Sequence, residues 1–385
     1  MLDGVNVALG VSGSIAAVKT VELAHELRRQ GAEVRAVMTD AATGIIHPWS
    51  LEFATENPVV TEITGSVEHV ELCGYDGWAD VLLLAPSTAN TIGKMASAVD
   101  DTPVTTTATT ALGADIPVVV APAMHAPMYD HPGVLDAIET LESWGVDFVD
   151  PRLEEGKAKI ATEESIVLDV ARATGDRPLA EQHVVVTSGA TSESIDPVRV
   201  LSNRSSGRTG RAVAKACYVR GADVTVVHDG PDLPYADVIE VESAAEMLDG
   251  VRSVAEDADA LVSAAAISDY TVEAAPEKIR SGQQLSLDLE PTPKLIDTIR
   301  AEHPEMTIVG FKVETSGNDD ALVEKARETL ERAGLAFVVG NDASVMGDDT
   351  SRILLVRPDS VASHRGNKTK IGGHVADALA TELSE

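Results

Sequence analysis

The sequence predicts two α/β domains, each a doubly wound sheet of mainly parallel strands with helices on both faces. The chain of 385 residues exceeds the usual size of one hydrophobic core and suits two. In both halves an apolar, β-branched run is followed by a loop, a helical pattern and a second apolar run. Units of this kind bind ligands at the carboxyl ends of their strands, where we therefore expect the functional sites.

The first half, residues 1–175, carries this pattern from its start. The first strand is predicted at 5–11, and a second strand, GAEVRAVMT, follows the first helix and ends at Thr39. Further strands are predicted at 79–87 and 116–124, and helices at 17–29, 88–98 and 133–144. All four strands are expected to end at one edge of a parallel sheet.

Residues 176–182 interrupt the pattern with proline and charged residues and are predicted to be a linker. A new strand begins at His183, and a second domain is expected over 183–385. Its elements are a helix at 208–220, a strand in GADVTVVHDGP, and strands at 260–265, 307–311, 336–340 and 353–356. The second half is therefore predicted to be another Rossmann-like domain.

Composition excludes several classes of protein. The formal net charge is −32, with acidic residues spread along the chain, which argues against a nucleic-acid partner. The charge favours adaptation to high salt over the alternative, an acidic mesophilic protein with no salt requirement. No stretch has the length and apolarity of a membrane span or a secretory leader, so we expect a soluble, cytoplasmic protein without a membrane partner. The two cysteines, one in each half, are too few for a disulfide framework or a thiolate metal site.

The loop at 10–14 lies between a strand and a helix, where free backbone N–H groups and the helix dipole favour a phosphate. By itself the loop is equally consistent with a tight structural turn. Thr39 and the segments 85–91 and 121–124 end at the same predicted edge, which favours a phosphate site. The loop lacks the spacing G-x-G-x-x-G, so an NAD-dependent dehydrogenase is not indicated.

The segments GVSGSIAAVK, APSTANTIGK and APAMHAPMY resemble the signature segments of the flavin-containing cysteine decarboxylases. The resemblance implies a flavodoxin-like flavoprotein decarboxylase fold that binds FMN and assembles as a homo-oligomer with trimeric flavin domains. The FMN-binding residues that it implies are Gly13, Ser14, Ile15, Thr39, Thr88, Ala89, Asn90, Thr91 and Ala123.

The same resemblance assigns catalytic roles. His69, in a segment that alternates like a strand, falls where the family has its proton-handling histidine. His125 stands where relatives have an asparagine that binds the substrate carboxylate, and a histidine can also donate to a carboxylate. Bacterial relatives carry a proton-donating cysteine on a clamp that here contains none, so Lys157 and Lys159 are candidates for that acid. Ordinary solvated lysines in a loop would give the same pattern.

In the second half, IDPVRVLSNRSSG (195–207) forms a predicted loop that leads into a helix and can present donors to an anion. This segment and the downstream run AAAISDY closely resemble the phosphopantothenate–cysteine ligases, which implies a ligase fold. The resemblance implies that Asn203 acts on an acyl-cytidylate and that Asp269 also holds Mg²⁺. The CTP-binding residues that it implies are Ser263, Ala264, Ala265, Asp269, Lys278, Pro293, Lys294, Leu295, Ile296 and Phe311.

Together the resemblances imply an archaeal, halophile-like bifunctional phosphopantothenoylcysteine decarboxylase and phosphopantothenate–cysteine ligase. Its expected substrates are 4′-phosphopantothenate, L-cysteine and CTP. A flavin-binding regulatory subunit is the alternative, because relatives of the decarboxylase fold can bind FMN while controlling a partner. The ligase motifs and His69 weigh against that alternative.

Overall fold

The computed structural model describes residues 1–282, 284–314, 319–342 and 350–384. It divides into two compact units, Met1–Gly175 and Asp176–Glu385. Residues 176–182, expected as a linker, fold with the second unit: Leu179 is fully buried, and its N–H donates to the carbonyl oxygen of Arg220 at 2.9 Å. The chain therefore passes from one unit to the other near residue 175.

The first unit is built on a five-stranded parallel sheet in the order β2-β1-β3-β4-β6. Its strands are β1 (Asn6–Val11), β2 (Glu33–Met38), β3 (Val81–Ser87), β4 (Val118–Pro122) and β6 (Asp147–Phe148). The central strands are buried on both faces, which explains why they are continuous apolar runs in the sequence. A smaller antiparallel sheet contains β5 (Met124–His125), β7 (Arg152–Glu154) and β8 (Lys157–Lys159).

Helices cover both faces of this sheet. A 3-10 turn (Ile15–Lys19) precedes the first helix, and the described helices are α1 (Thr20–Arg29), α2 (Asp40–Thr43), α3 (Pro48–Thr55), α4 (Glu68–Cys73), α5 (Ala89–Ala96), α6 (Pro103–Gly113), α7 (Ala126–Tyr129), α8 (Pro132–Glu142) and α9 (Glu163–Thr174). Helices α4, α5, α6 and α8 bury apolar side chains in one core with the sheet, while α1 and α9 pack together, α1 contacts β2, and α9 contacts β3 and β4. The predicted doubly wound arrangement is confirmed.

The second unit contains an eight-stranded sheet, counted over the described residues, in the order β13-β12-β9-β14-β17-β18-β19-β20. Its strands are β9 (His183–Thr187), β12 (Asp223–His228), β13 (Asp237–Glu240), β14 (Ala260–Ser263), β17 (Thr307–Glu314), β18 (Phe337–Asp342), β19 (Thr350–Val356) and β20 (Val361–Asn367). The strands from β13 to β18 pair in parallel, whereas β19 and β20 are antiparallel. The parallel part is the predicted Rossmann-like core.

Helices again lie on two sides. The described helices are α10 (Arg208–Val219), α11 (Ala244–Arg252), α12 (Leu295–Glu302), α13 (Asp319–Ala333) and α14 (Lys368–Leu383). Apolar side chains of α11, α12 and α13 share one core with the sheet, and α10 packs against α14. Two hairpins extend from the strand ends: β10 (Ser192–Asp196) with β11 (Arg199–Ser202), and β15 (Tyr270–Val272) with β16 (Leu289–Pro291). The segment 195–207, predicted as a loop, is thus partly a hairpin, because its backbone groups pair across a tight turn.

Candidate active sites

Hydrogen bonds join three loops at the carboxyl edge of the first sheet. The Ser12 hydroxyl donates to the carbonyl oxygen of Pro86 at 2.8 Å and accepts from the N–H of Thr88 at 3.0 Å. The Ser14 hydroxyl donates to the carbonyl oxygen of Ala123 at 3.1 Å. The loops that follow β1, β3 and β4 therefore form one surface, as expected for strands that end together. Ser12 belongs to the predicted phosphate loop at 10–14 but is not among the FMN-binding residues that the resemblance implies.

Threonine side chains begin the helices at this edge. Thr39 caps α2 by accepting from the N–H of Ala42, and Thr88 caps α5 by accepting from the N–H of Thr91. The remaining first-turn N–H groups of α5 carry the positive end of the helix dipole. Asn90 is exposed in that turn, beside the half-buried Ala89. These groups can hold an anion such as a phosphate.

Two further observations show that the edge suits a bound ligand. A Cβ on Gly13 would lie 2.5 Å from the Cβ of Ala41, so only glycine lets the loop approach α2 this closely. The hydroxyl of Ser87, at the end of β3, is buried and has no hydrogen-bond partner in the described part of the chain. A buried hydroxyl normally has a partner, so a ligand at this edge would satisfy it. Ile15 is 78% exposed and offers an apolar surface beside the loop.

His69 lies on α4, so the strand predicted from its alternating sequence is wrong. The carboxylate of Glu68 accepts from the N–H and the hydroxyl of Thr64, which fixes the start of the helix. Leu72 and Cys73 are buried and follow the half-buried His69 by three and four residues, the spacing of one helical face, while Val70 is exposed. The helix ends beside β3, where the N–H of Trp78 donates to the carbonyl oxygen of Glu71. The Nδ1 atom of His69 is buried and has no partner among the described residues.

The small antiparallel sheet brings His125 and Lys157 together. They are directly opposite in the register of β5 and β8, and both side chains are exposed. Opposite residues in such a pair have Cβ atoms about 5 Å apart. Lys159 differs, because its ammonium group lies 3.0 Å from a carboxylate oxygen of both Glu154 and Glu155. The hydrogen bonds that Lys159 donates, first to Glu155 and then to Glu154, raise the pKa of Lys159 and make it a weaker acid.

The chain's only cysteines are buried, and burial raises the pKa of both thiols to about 12. For Cys73 burial is the whole cause, while at Cys217 Arg220 opposes it. Both thiols therefore stay protonated near neutral pH and are inert as nucleophiles. Neither lies on the β7–β8 hairpin, in agreement with the missing clamp cysteine in the sequence.

In the second unit, Asn203 connects two loops at the carboxyl edge of the sheet. Its side-chain N–H₂ donates to the carbonyl oxygen of Ala266 at 2.6 Å, and its side-chain oxygen accepts from the N–H of Ser205 at 2.9 Å. The loop after β9 joins the same surface, because the hydroxyl of Thr191 accepts from the N–H of Ser268 at 2.8 Å. The segment before α10 and the segment after β14 therefore form one surface.

The residues predicted to bind CTP differ in where they lie and in how exposed they are. At the carboxyl edge, the N–H of Ala265 donates to Thr187 at 3.2 Å, and Asp269 and Lys294 form an ion pair at 2.5 Å. Ser263 ends β14 and Ala264 follows it. Leu295 is 3% exposed and packs in the core, so its side chain is not at the surface. The remaining members are Lys278, exposed in the segment after β15; Pro293, exposed before α12; Ile296, half-buried on α12; and Phe311, half-buried on β17.

The proposed magnesium ligand has little support from its surroundings. The described residues contain no group of three histidine, cysteine, aspartate or glutamate side chains that could hold a metal ion. Asp269 is paired with Lys294. A metal ion there would need most of its ligands from elsewhere, such as substrate phosphates or water.

Among the helices that the structure describes, none combines the length and the apolar character of a membrane span.

Comparison with known proteins gives matches in both units. Residues 1–175 match the flavoprotein family model, and residues 179–383 match the model of the DNA/pantothenate metabolism flavoprotein C-terminal domain. Among solved structures, the FMN-dependent cysteine decarboxylase SpaF is 31% identical, covers 46% of this chain and 100% of its own, and has a TM-score of 0.41.

Two relatives match this chain over most of their own length. The coenzyme A biosynthesis bifunctional protein CoaBC of Thermococcus kodakarensis is 49% identical over 93% of this chain and 90% of its own length. The protein of the same description in Methanocaldococcus jannaschii is 35% identical over 98% of this chain and 94% of its own. The chain therefore belongs to the family of bifunctional coenzyme A biosynthesis proteins CoaBC.

Proposed function

We propose that the second unit joins L-cysteine to 4′-phosphopantothenate with CTP, and that the first unit then decarboxylates the product to 4′-phosphopantetheine. The observation that supports this most directly is the pair of joined loop surfaces, one in each unit. Each lies at the carboxyl edge of a parallel sheet, where such folds bind nucleotide-like ligands. Family membership favours these two reactions over a regulatory role, because the relatives are bifunctional proteins of coenzyme A biosynthesis.

The residues of the first edge fit FMN. The loop at Gly13 and Ser14 and the first turn of α5 would hold its phosphate, while Ser87 and Ala123, at the ends of β3 and β4, would lie beneath the bound FMN. When bound, FMN would supply the oxidation of the cysteine moiety and the later return of both electrons, so the reaction has no net redox change. The protein must then bind the substrate carboxylate, remove a thiol proton and return a proton to carbon.

We assign these tasks to side chains that the structure leaves available. His69 would take the thiol proton, since its Nδ1 atom has no partner among the described residues and an imidazole accepts protons near neutral pH. His125 would hold the substrate carboxylate by donating a hydrogen bond. Lys157, opposite His125 on β8, would return the proton after carbon dioxide leaves. Lys159 suits this task less, because two carboxylates already hold it.

In the second unit we propose that CTP lies along the edge formed by residues 263–269 and the start of α12. Lys294 and Lys278 would neutralise negative charge as pyrophosphate leaves the activated carboxylate. Asn203 would act on the acyl-cytidylate after activation, from its position between the two joined loops. Phe311 would contact the nucleoside. No step is assigned to Mg²⁺, whose proposed contact with Asp269 requires the ion pair with Lys294 to open.

We also propose that the protein works in the cytoplasm as a homo-oligomer with trimeric flavin domains. The apolar side chains of Ile15, Val18, Trp49 and Phe53 are between 51% and 78% exposed in the first unit, more than an isolated soluble unit usually leaves in water. Contact between copies would cover them. Mass measurement in solution checks this, and a monomeric protein with bound flavin would contradict it.

One assay tests both reactions. Purified protein is incubated with 4′-phosphopantothenate, CTP and cysteine labelled at its carboxyl carbon, and pyrophosphate, amide and labelled carbon dioxide are measured. We expect equal amounts of pyrophosphate and amide, followed by carbon dioxide, and a visible spectrum typical of flavin. Flavin without carbon dioxide release from authentic phosphopantothenoylcysteine would support the regulatory alternative. ATP in place of CTP serves as the control for nucleotide choice.

A further inference from the structure

A buried carboxylate in the second unit links two segments that are far apart in the sequence. Asp196 closes the β10–β11 hairpin: one of its oxygens accepts from the N–H of Val198 at 2.8 Å and from the N–H of Arg199 at 2.9 Å. The other oxygen accepts from the N–H of Ile279 at 3.1 Å, 83 residues further along the chain. One side chain thus fixes both the turn and a distant strip of backbone.

Arg199 completes the arrangement. Its guanidinium donates to the carboxylate of Asp196 at 2.6 Å and to the carbonyl oxygen of Ile279 at 3.1 Å. The N–H and the C=O of Ile279 are therefore both held by this one ion pair. A further backbone bond joins the N–H of Ala275 to the carbonyl oxygen of Ile195 at 2.9 Å. The segment 275–279, which contains neither helix nor strand, is tied to the hairpin at both ends.

The charge state of Asp196 suits this role. Its side chain has no exposed surface, and burial alone would raise its pKa. Hydrogen bonds from the backbone N–H groups of Val198, Ile279 and Arg199, with the Arg199 charge, outweigh burial and lower that pKa. The carboxylate is therefore ionised at neutral pH, and each of its acceptor positions is used.

The held segment carries Lys278, next to Ile279. Its side chain is exposed, so the backbone is fixed while the ammonium group stays available. The same hairpin leads at its other end into Asn203, which is bonded to Ala266. We infer that Asp196, with Arg199, is a positioning residue of the ligase reaction that fixes Lys278 relative to the loop of Asn203. This inference rests on the role proposed above for Lys278.

A double-mutant cycle tests the inference. Asp196→Asn keeps the size of the side chain but removes its charge and one acceptor, and we expect kcat for amide formation to fall about tenfold through misplacement of Lys278. Lys278→Ala should cause at least the same loss. In the double variant Asp196→Asn should add no further loss, because it acts through Lys278. Losses that multiply, or a Lys278→Ala variant with full activity, would overturn the inference.

Glu193 provides the matched control. It is another buried carboxylate on β10, but it accepts from the N–H of Ala244 at 2.9 Å, at the start of α11. If Glu193→Gln lowers kcat for amide formation, its loss should multiply with the loss caused by Lys278→Ala in the double variant. If Asp196→Asn does not fold, Arg199→Lys carries the test, since lysine keeps the charge but cannot bridge both groups in the same way.

Amide hydrogen exchange gives a readout that does not depend on activity. Exchange in residues 275–280 should be faster in Asp196→Asn than in the wild type and unchanged in Glu193→Gln. Unchanged exchange in Asp196→Asn would overturn the inference even if activity fell. If the wild type forms no amide with CTP, the proposed ligase function fails, whereas exchange still shows whether Asp196 holds the segment.

Discussion

At the scale of residues, both candidate sites depend on short polar side chains that join loops. The Ser14 hydroxyl reaches Ala123 in the first unit, and the Asn203 amide reaches Ala266 in the second. Each bond spans a long separation in sequence, 109 and 63 residues. These side chains therefore hold the loops of each candidate site together before any ligand arrives, which would lower the entropy cost of binding.

His69 gives the sharpest prediction at this scale. We expect His69→Ala to lower decarboxylation at least about 100-fold, because a positioned base is lost, while amide formation in the other unit stays near the wild-type rate. Phosphopantothenoylcysteine should accumulate, which chromatography of the reaction mixture detects. His131→Ala is the matched control, since the side chain of His131 caps α8 by accepting from the N–H of Gly133. Carbon dioxide release at the wild-type rate in His69→Ala would remove this histidine from the mechanism.

At the scale of elements, the strands were predictable and several connecting elements were not. The buried parallel strands are continuous apolar runs, so β1, β3, β9 and β12 all appear where the sequence indicated them. The sequence of α4 predicts a strand, because six residues are too few to distinguish the periodicity of a helix from that of a strand. Asp196 and Ser87 lie in the predicted site segments 195–207 and 85–91, but their individual roles could not be predicted, because their surroundings come from segments distant in sequence.

The β7–β8 hairpin provides a prediction about the proton donor. We expect Lys157→Ala to slow product formation about tenfold or more after carbon dioxide has left, because the nearest acid is then missing. Reduced flavin should accumulate and be visible by stopped-flow absorbance. Lys159→Ala should have little effect on this step, since Lys159 is already paired with Glu154 and Glu155. If Lys159→Ala slowed this step more than Lys157→Ala, Lys159 would be the acid. If both variants kept the wild-type rate, water would be the acid.

At the scale of the whole molecule, charge dominates. The chain has 62 acidic and 30 basic residues, so its formal net charge is −32 even if every basic residue forms an ion pair. Exposed like charges repel each other over about one Debye length, roughly 10 Å at 0.1 M salt and about 3 Å at 1 M. The folded state brings these charges closer together than the unfolded chain does. We therefore propose that the protein is adapted to high salt.

This proposal predicts that stability rises with salt. Between about 0.1 and 1 M KCl the Tm should increase by several degrees and then level off, because screening is nearly complete at that ionic strength. Calorimetry or circular dichroism measures the transition. A series in sucrose at matched osmolality is the control for general exclusion effects, which do not saturate in this way. A Tm that is constant or falls over this range would contradict the proposal.

The burial of Leu179 has a consequence for separating the two activities into independent polypeptides. A chain that starts at residue 183 would lack this side chain and would have a cavity beside the end of α10, where the N–H of Leu179 donates a hydrogen bond to Arg220. Loss of a buried leucine costs about 2–5 kcal/mol. The chain 183–385 should therefore unfold at lower urea concentration than 176–385, and equal midpoints would contradict this. Evolution or engineering that splits such a fusion is expected to cut before residue 179.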